Sequence, residues 1–407
     1  MSGADRIAKR PSIALLVVLS AVNPLAINIY MPSMPRMAGA FDTTYAMIQL
    51  TLSLYLAIMA VAQTVIGPLS DRYGRRPVLL GGIVVFIAGS VLALSATTVE
   101  VLLVGRLLQG AGGCAGIVLA RAIVRDLYDR DRAASMIGYV TMGMAVAPML
   151  APALGGVLEE AVGWRGSFVV MLLSGLGALV WAMAALHETN PNVGRVTSFR
   201  ETARQWGELL AVPAFWAYSG AAAFASAVFF AFLGGAPYVT AEIMDAGPVE
   251  YGLYFILVSV GYMIGNFLTG RFAARIGVPV MINVGNMVQL VAVGSMAAAF
   301  AAGYIHPLSL FGPMFLVGLG NGVSLPSAIA GSVSIRPDLA GAASGLGGSM
   351  QVGVGAIASS LAGALLVTLW PGTVWSMVAL MVVASLAGVA CGVAVWIGAR
   401  GDPAAIR

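Results

Sequence analysis

The chain has 407 residues, of which 9% are charged and 59% are Ala, Val, Ile, Leu, Met, Phe, Trp, Tyr or Cys. Soluble domains carry about 25% charged residues, so this composition excludes a protein whose main solvent is water. The net charge of +4 is therefore not interpreted as a nucleic-acid-binding surface, but as a signal of which side of a membrane each loop occupies.

Twelve apolar runs, each bounded by charged residues, Pro or Gly, follow one another along the chain. A run of roughly twenty apolar residues is long enough to cross a bilayer as a helix. The runs lie at about 12–35, 46–68, 77–97, 100–121, 135–158, 166–187, 213–237, 251–272, 278–301, 306–329, 340–368 and 373–399. The sequence therefore predicts an all-α integral membrane protein with twelve transmembrane helices.

The longest polar interval separates six runs from six. It reads "HETNPNVGRVTSFRETARQWGELLAVP", and its part from Phe199 to Leu210 is predicted to form a surface helix. We expect an N-terminal six-helix half at 1–187, a cytoplasmic linker at 188–212 and a C-terminal six-helix half at 213–407. The basic segment "MSGADRIAKRP" before the first run is interpreted as the start of an uncleaved span.

Lys and Arg residues are distributed very unevenly between alternate loops. Of the 21, eighteen lie on the side that holds both termini, Arg36 and Arg165 lie on the other side, and Arg106 alone lies inside a predicted span. Loops rich in Lys and Arg stay in the cytoplasm by the positive-inside rule. We therefore expect a multi-pass protein of the bacterial inner membrane with both termini in the cytoplasm.

The two halves show a faint internal repeat. "GPLSDRYGRR" follows the second run and "NFLTGRFAAR" follows the eighth, which predicts that Arg72 and Arg271 occupy equivalent places. His187 and His306 have no second ligand at suitable spacing within a span, so no metal or cofactor site is predicted.

The turn between the second and third runs concentrates charge between two membrane spans. Gly67 and Gly74 permit close helix approach and a tight turn, while Asp71 can lie near the positive N-terminal end of a neighbouring helix. The arginines of the turn hold it on the cytoplasmic side. A charged contact between helices is one that two conformations could make and break.

Several stretches of the first half resemble motifs of the major facilitator superfamily. "GPLSDRYGRRP" resembles its loop signature, "LLVGRLLQGAGG" its fourth-span pattern and "GMAVAPMLAPALGG" its fifth-span antiporter pattern. "PLAINIYMPSMP", "MIQLTLSLY" and "VRDLY" are similar to the Bcr/CflA drug-resistance branch, with its chloramphenicol and florfenicol exporters. The resemblance implies the major facilitator fold and a rocking transporter that expels drugs in exchange for protons.

The resemblance also implies roles for particular residues. It makes the loop signature a conformational latch, in which Asp71 meets the start of the eleventh span near Asp338. The latch residues are Gly67, Asp71, Arg72, Gly74, Arg75, Arg76 and Asp126. The antiporter motif consists of Pro148, Pro152, Gly155 and Gly156, where each proline lets the helix bend.

Arg106 is predicted to face a central cavity, because a charge inside a span costs about 2.5–3.5 kcal/mol on insertion scales. Asn28 lies at a similar depth, on the order of 10 Å below the outer surface, so the two side chains could meet. The family commonly has an Asp at the Asn28 position as a candidate proton carrier, and Asn cannot carry a proton. The candidate cavity residues are Asn28, Tyr30, Tyr55, Arg106, Gln109, Tyr254, Tyr262, Asn266 and Gln351.

The sequence thus predicts a transporter rather than an enzyme, a monomer that exports small amphipathic drugs of the phenicol type by alternating access, with protons as the coupling ion. One alternative is an uptake symporter or facilitator for a small anionic metabolite, suggested by an unpaired Arg106. A second alternative is a membrane sensor that transports nothing. Counterflow in vesicles separates export from uptake, and the sensor predicts no flux of any substrate.

Overall fold

The computed structural model describes residues 11–128, 130–144, 146–190, 193, 199–369 and 371–401. The basic segment at 1–10 lies outside the described residues, as do positions 191–192 and 194–198 of the predicted linker.

Twelve helices in the described part of the chain are long and apolar enough to cross a membrane. In chain order, spans 1 to 12 are Ile13–Ala40, Tyr45–Tyr73, Arg75–Leu94, Val99–Leu127, Met136–Val162, Arg165–Ala185, Pro213–Ile243, Pro248–Ile276, Val278–Ala301, Pro307–Ser334, Pro337–Leu366 and Trp375–Arg400. A further helix at Phe199–Leu210, the linker helix, precedes span 7. The predicted all-α fold with twelve spans is confirmed.

Local sequence signals set where these helices begin and change direction. The hydroxyl of Ser12 accepts a hydrogen bond from the Leu15 backbone N–H at 3.2 Å, which caps span 1. Span 1 is not continuous, because its α-helix ends at Asn28 and a short 3₁₀ turn at Met31–Ser33 follows. Span 7 likewise ends in a wide turn at Val239–Ile243.

Close backbone packing through glycine follows the same pattern in spans 1–6, the first half, and in spans 7–12, the second half. In the first half, Gly82 of span 3 packs on the backbone of Gly112 in span 4. In the second half, Gly285 of span 9 packs on the backbone of Gly320 in span 10. These matching contacts are those expected of a structural repeat, since small residues let helices in a membrane approach closely.

The repeat has a different register from the one the sequence suggests. Spans 2 and 8 each have 29 residues, and each ends at a glycine with positive φ, 100° at Gly74 and 90° at Gly277. Aligning these two glycines makes Arg72 equivalent to Arg275, so the predicted match with Arg271 is wrong by one helical turn. The turn needs a residue without a Cβ at this φ, and that requirement identifies the register better than local similarity does.

The bundle has two ends that differ in how the halves meet. We call the end that holds Gly74 and the linker helix the linker end, and the end that holds Met31–Ser33 and Pro248 the far end. Span 2 packs against span 11, and span 5 packs against span 8, so these four helices join the halves.

Candidate functional site

Arg106 of span 4 lies inside the first half and is completely buried. Its guanidinium carbon lies 4.3 Å from the ring centre of Tyr30 and 4.4 Å from that of Tyr55, so two aromatic rings flank the charge. Its Nη1 donates to the side-chain oxygen of Gln109 at 2.7 Å and to the Ala26 carbonyl at 3.2 Å. The faces of aromatic rings attract a cation, and carbonyl oxygens accept hydrogen bonds from its N–H groups. The charge of Arg106 is therefore stabilised without a carboxylate.

The polar network around Arg106 extends through four spans. Gln109 donates from Nε2 to the hydroxyl of Ser90 in span 3 at 2.9 Å. The hydroxyls of Tyr30 in span 1 and Thr51 in span 2 lie 3.1 Å apart. Because these side chains are all buried, the network holds spans 1 to 4 of the first half together and does not line an open cavity. We call it the internal brace.

Asn28 does not join this network. Its Nδ2 donates to the Pro24 carbonyl at 2.8 Å on its own helix, and its Oδ1 is buried without a hydrogen-bond partner. Similar depth in the bilayer therefore does not bring Asn28 to Arg106. The expectation that the two side chains meet is not what this structure shows, because Asn28 turns back onto the helix at Pro24.

The far end is closed by hydrogen bonds between the halves. The side-chain nitrogen of Gln49 in span 2 donates to the carbonyl and hydroxyl oxygens of Ser359 in span 11, both at 2.7 Å. Tyr45 donates from its hydroxyl to the Gly234 carbonyl in span 7 at 2.9 Å. All these groups are buried, so the halves are held together here without intervening water.

The glycines of the antiporter motif lie at the same closure. A Cβ at Gly155 would overlap the Ile29 carbonyl of span 1, and a Cβ at Gly156 would overlap the Pro248 carbonyl of span 8. A glycine of span 8 makes the corresponding contact with span 5, because a Cβ at Gly252 would lie 2.5 Å from the Pro152 carbonyl. Spans 5 and 8 therefore touch backbone to backbone, across the two halves. Pro148 is partly buried near the start of the same helical segment.

Spans 2 and 11 separate towards the linker end. Among the glycines of the described residues, Gly348 of span 11 still lies close to span 2, since a Cβ there would lie 3.5 Å from Oε1 of Gln63. Nearer the linker end, Gly67 of span 2 and both Gly341 and Gly345 of span 11 have no atom within 4 Å of a Cβ position. The halves are thus closed at the far end and parted at the linker end.

The latch residues at the linker end pair within the first half. Arg75 donates from Nε to Asp126 at 2.9 Å and from Nη1 to Asp71 and to the hydroxyl of Ser70. Asp338 instead pairs with its neighbour Arg336 at 2.8 Å. Asp71 and Asp338 are therefore not joined in this conformation, since the helices that hold them have separated.

Two more latch arginines contact the surface of the first half. The guanidinium of Arg72 lies 5.1 Å from the ring centre of Tyr73, and Arg76 donates from Nη2 to the Met183 carbonyl at 3.1 Å. Neither contact crosses to the second half. The contacts described for Arg72 and Arg76 therefore lie within spans 1–6.

A residue that sequence reasoning missed, Glu188, holds the turn against the start of the linker. Its carboxylate accepts the backbone N–H of Arg75 at 2.8 Å and of Arg76 at 3.1 Å, which caps the N-terminus of span 3. Asn190 donates to the Asp71 carbonyl at 3.1 Å. The loop signature and the linker thus form one hydrogen-bonded unit.

The predicted cavity residues of the second half are partly buried and point to different neighbours. Tyr254 stacks on Phe311 with ring centres 5.5 Å apart. Asn266 donates to the Tyr262 carbonyl at 2.8 Å on its own helix, and Gln351 donates to Ser226 at 2.7 Å. The structure does not gather them with Arg106 around one point.

Glu159 of span 5 is the one buried carboxylate among the described residues. Its Oε1 lies 3.6 Å from Nη1 of Arg36, and its Oε2 is buried without a hydrogen-bond partner. It lies one helical turn from Gly155 and Gly156, at the far-end closure. The described residues contain no group of three or more His, Cys, Asp or Glu that could hold a metal ion.

Twelve spans in two repeat-related halves, closed at one end and parted at the other, define a multi-pass membrane transporter. The profile of the Major Facilitator Superfamily matches residues 16–359, and the chain belongs to this superfamily. The chain is 30% identical over 384 residues to a chloramphenicol resistance protein of Pseudomonas aeruginosa, covering 92% of this chain and 89% of that protein. The resemblance predicted from the motifs is thereby confirmed.

Two further comparisons agree with this assignment. The chain is 29% identical over 384 residues to the bicyclomycin resistance protein homolog of Haemophilus influenzae, covering 92% of this chain and 94% of the other. A crystal structure of the peptide transporter POT in complex with sulfate superposes with a TM-score of 0.78 at 14% identity, over 95% of this chain and 94% of that one. The latter likeness concerns the fold alone.

Proposed function

We propose that the protein exports small amphipathic drugs, with phenicols as the first candidates, by alternating access across the bacterial inner membrane in exchange for protons. Spans 1–6 and 7–12 act as the two rocking bodies, with boundaries near 1–187 and 213–407. The protein works as a monomer in the bilayer. The names of its relatives, which refer to resistance against chloramphenicol and bicyclomycin, support a drug as the substrate.

The observation that carries the proposal is the one-sided closure of the path. Backbone contacts at Gly156 and Gly252, with the hydrogen bonds of Gln49, close the far end, while spans 2 and 11 part beyond Gln63. A protein that opens a central path to one side of the membrane at a time needs a conformation that is closed at the far end and another that is closed at the linker end. Opening the far end would break the contacts of spans 2 with 11 and 5 with 8 together.

The distribution of positive charge supports the orientation of this path. The linker end holds the arginines of the turn at Gly74, and the positive-inside rule assigns such loops to the cytoplasm. With the linker end in the cytoplasm, the conformation described here takes up drug from the inside. Both termini then lie in the cytoplasm as well.

Glu159 supports the proposal of proton exchange, because its carboxylate is a group at the far end that can bind and release a proton. Its carboxylate is buried while the far end is closed, and the adjacent Gly156 contact must break when that end opens. Water would then reach the carboxylate from outside. Burial disfavours the charged form of an acid, so opening and proton binding are coupled.

The alternative of anionic uptake rested on an unpaired Arg106. Two aromatic rings and the oxygens of Gln109 and Ala26 surround this guanidinium instead, so it is no longer an argument for uptake. Export is tested with cells that lack their own pumps and express the protein. We expect the inhibitory concentration of chloramphenicol or another drug in an antibiotic panel to rise severalfold, and a protonophore to abolish drug efflux. No change for any drug would refute the proposal.

A further inference from the structure

A cavity of about 330 Å³ lies at the far end, between the two halves. One wall consists of Pro32, Pro35 and Arg36 of span 1, and the rest of the lining comes from the end of span 7, the start of span 8 and the loop between them. The 3₁₀ turn at Met31–Ser33 packs on both of those spans, so the cavity lies at a contact between the halves. Sites for small organic molecules have volumes of about 300–1,000 Å³, so a small ligand can fit here.

The buried part of the lining, which we call the cavity floor, is mainly apolar. Pro32, Pro237 and Pro248 belong to it. Tyr251 also lines the cavity, where it is 2% exposed and its hydroxyl has no hydrogen-bond partner among the described residues. The hydroxyl of Thr240, by contrast, already donates to a backbone carbonyl one turn earlier at 2.7 Å. The cavity floor therefore offers an apolar surface and one unused hydroxyl.

The exposed part of the lining, which we call the cavity rim, carries negative charge. Glu242 and Asp245 both line the cavity and are exposed. In the described part of the chain, neither carboxylate forms an ion pair. Glu160 of span 5 adds a third carboxylate beside the cavity, since a Cβ at Gly247 would lie 3.6 Å from its Oε1. Carboxylates gathered around one concave surface attract a cation.

Arg36 is the one cation of the lining, and a carboxylate of span 5 balances its charge. Nη1 of Arg36 lies 3.6 Å from Oε1 of Glu159, whose side chain is 4% exposed. The guanidinium of Arg36 therefore already has a partner of opposite charge. Its charge does not cancel those of Glu242 and Asp245, so the cavity rim remains negative.

We propose that this cavity is a binding site for a small organic cation with an apolar body, and that its occupation holds the far end closed. The prolines of the cavity floor contact the apolar part of the molecule, and its positive charge faces Glu242 and Asp245. An anion of the same size would meet unpaired carboxylates instead. The orientation proposed above, with the linker end in the cytoplasm, means that the cation enters from outside.

The two walls of the cavity belong to different halves, which gives its occupation a conformational effect. Pro32 lies in the first half and Pro248 in the second, and opening the far end moves these two walls apart. A ligand shifts a conformational equilibrium only as far as it binds one state better. A cation that touches both walls binds the far-end-closed state better, so it should slow export without entering the central path.

The test uses two aromatic probes of similar size and opposite charge, benzyltrimethylammonium and benzenesulfonate. Both probes dissolve in water and keep their charge throughout the working pH range. Binding to the full chain in lipid nanodiscs is measured by isothermal titration calorimetry at neutral pH, with empty nanodiscs as the blank. We expect the cation to bind and the anion not to bind. The affinity for the cation should fall at higher salt, because salt screens exposed charges.

Variants of the lining separate this site from a general attraction of cations to the far end. The double change Glu242→Gln and Asp245→Asn should weaken cation binding by about fivefold or more, as expected for the loss of two exposed charge contacts. Ala241→Phe keeps both carboxylates and fills the cavity, so it should weaken binding as well. Glu250→Gln is the matched control, because Glu250 is exposed at the same end and does not line the cavity. It should change the affinity by less than about twofold.

The conformational effect is tested by the efflux of chloramphenicol from loaded cells. External benzyltrimethylammonium should slow efflux by the wild-type protein, and slow it less in the Glu242→Gln, Asp245→Asn double variant. Cavity-dependent binding that leaves wild-type efflux at its normal rate would overturn the claim that occupation holds the far end closed.

The binding outcomes distinguish this inference from drug export, because calorimetry needs no transport. Equal binding of the two probes, no binding of the cation, or cation binding unchanged in both the double variant and Ala241→Phe overturns the site and leaves drug export standing. Cation binding that depends on Glu242, Asp245 and Ala241, in a protein that protects cells from no drug, supports the site and contradicts export.

Discussion

The side-chain nitrogen of Gln49 lies 2.7 Å from both the carbonyl and the hydroxyl oxygen of Ser359, which joins span 2 to span 11 at the far end. The amide oxygen of Gln49 accepts a hydrogen bond from Ser53 at 3.0 Å, which fixes the orientation of the amide. A buried side chain that bonds from one half to the other stabilises the conformation in which the halves touch. Gln49 therefore favours the far-end-closed state.

Gln49→Leu should shift the protein towards opening at the far end. The change keeps the size of the side chain and removes the two buried hydrogen bonds to Ser359 of the other half, at about 0.5–1.5 kcal/mol each, so the open population should rise roughly tenfold. Double electron–electron resonance between labels at Ala40 and Glu250, with Cys114 and Cys391 replaced, reports the distance across the far end. Ser95→Ala is the control, since the Ser95 hydroxyl bonds only within its own helix. An unchanged distance distribution would argue against this role.

Gly156→Leu should abolish transport by blocking far-end closure. Any side chain at Gly156 meets the Pro248 backbone of the other half, so the halves cannot approach. Gly177→Leu in span 6 is the matched control, because nothing lies within 4 Å of a Cβ there. Drug efflux from loaded cells, corrected for expression, provides the comparison. Similar efflux in both variants would show that the glycine contact is dispensable.

Arg106→Ala should reduce both stability and transport. It leaves a cavity between the rings of Tyr30 and Tyr55 and removes the partner of Gln109, which together should cost about 3–5 kcal/mol. Arg106→Lys keeps the charge but loses the planar group between the rings, so an intermediate loss is expected. Thermal unfolding followed by tryptophan fluorescence measures the change. A fully stable, fully active Arg106→Ala protein would contradict the internal brace.

Asp71→Asn should leave expression near normal and reduce transport strongly. The change weakens the ion pair with Arg75, which also binds Asp126. In the proposed cycle these charged groups form new contacts with span 11 when the linker end closes, so that step should be impaired. Asp338→Asn tests the other side, since Asp338 pairs with Arg336 while the helices are apart. If the Asp71 variant transports at the wild-type rate, the latch is not part of the cycle.

Asn28→Asp should make the protein sensitive to alkaline pH. The protonated carboxyl can donate to the Pro24 carbonyl as Asn28 does, whereas the ionised form is buried and faces an acceptor. The variant protein should therefore be fully stable at low pH, where the carboxyl keeps this hydrogen bond, and should lose stability as the pH rises and the carboxyl ionises. A pH profile of thermal stability matching the wild type would exclude this environment.

The twelve spans could be predicted from the sequence because the bilayer demands long apolar helices, and composition alone shows them. The ends of the helices could not be predicted in this way, because a helix continues past the apolar run for as long as its backbone hydrogen bonds are formed. Span 4, for example, continues to Leu127, six residues past the end of the predicted run at 100–121. The register of the repeat was misjudged because local similarity at Arg271 is less informative than the positive φ at Gly277.

The candidate site was harder to predict than the fold. The loop signature could be recognised, but the capping of Arg75 and Arg76 by Glu188 joins positions that are far apart in the chain. Arg106 could be identified from the sequence because placing a charge inside a membrane span costs free energy. Its two aromatic partners, Tyr30 and Tyr55, could not be identified, because they lie on other spans. Contacts of this kind depend on tertiary packing, which the sequence pattern of a single helix does not reveal.

The central claim, drug export driven by proton exchange, is tested most directly in proteoliposomes that contain only this protein. The uptake of radiolabelled chloramphenicol is followed with an acidic vesicle interior, and again after nigericin and potassium collapse the gradient. We predict accumulation above the equilibrium level only with the acidic interior, and none in Gly156→Leu. Uptake that reaches the same level with and without the proton gradient would contradict the account.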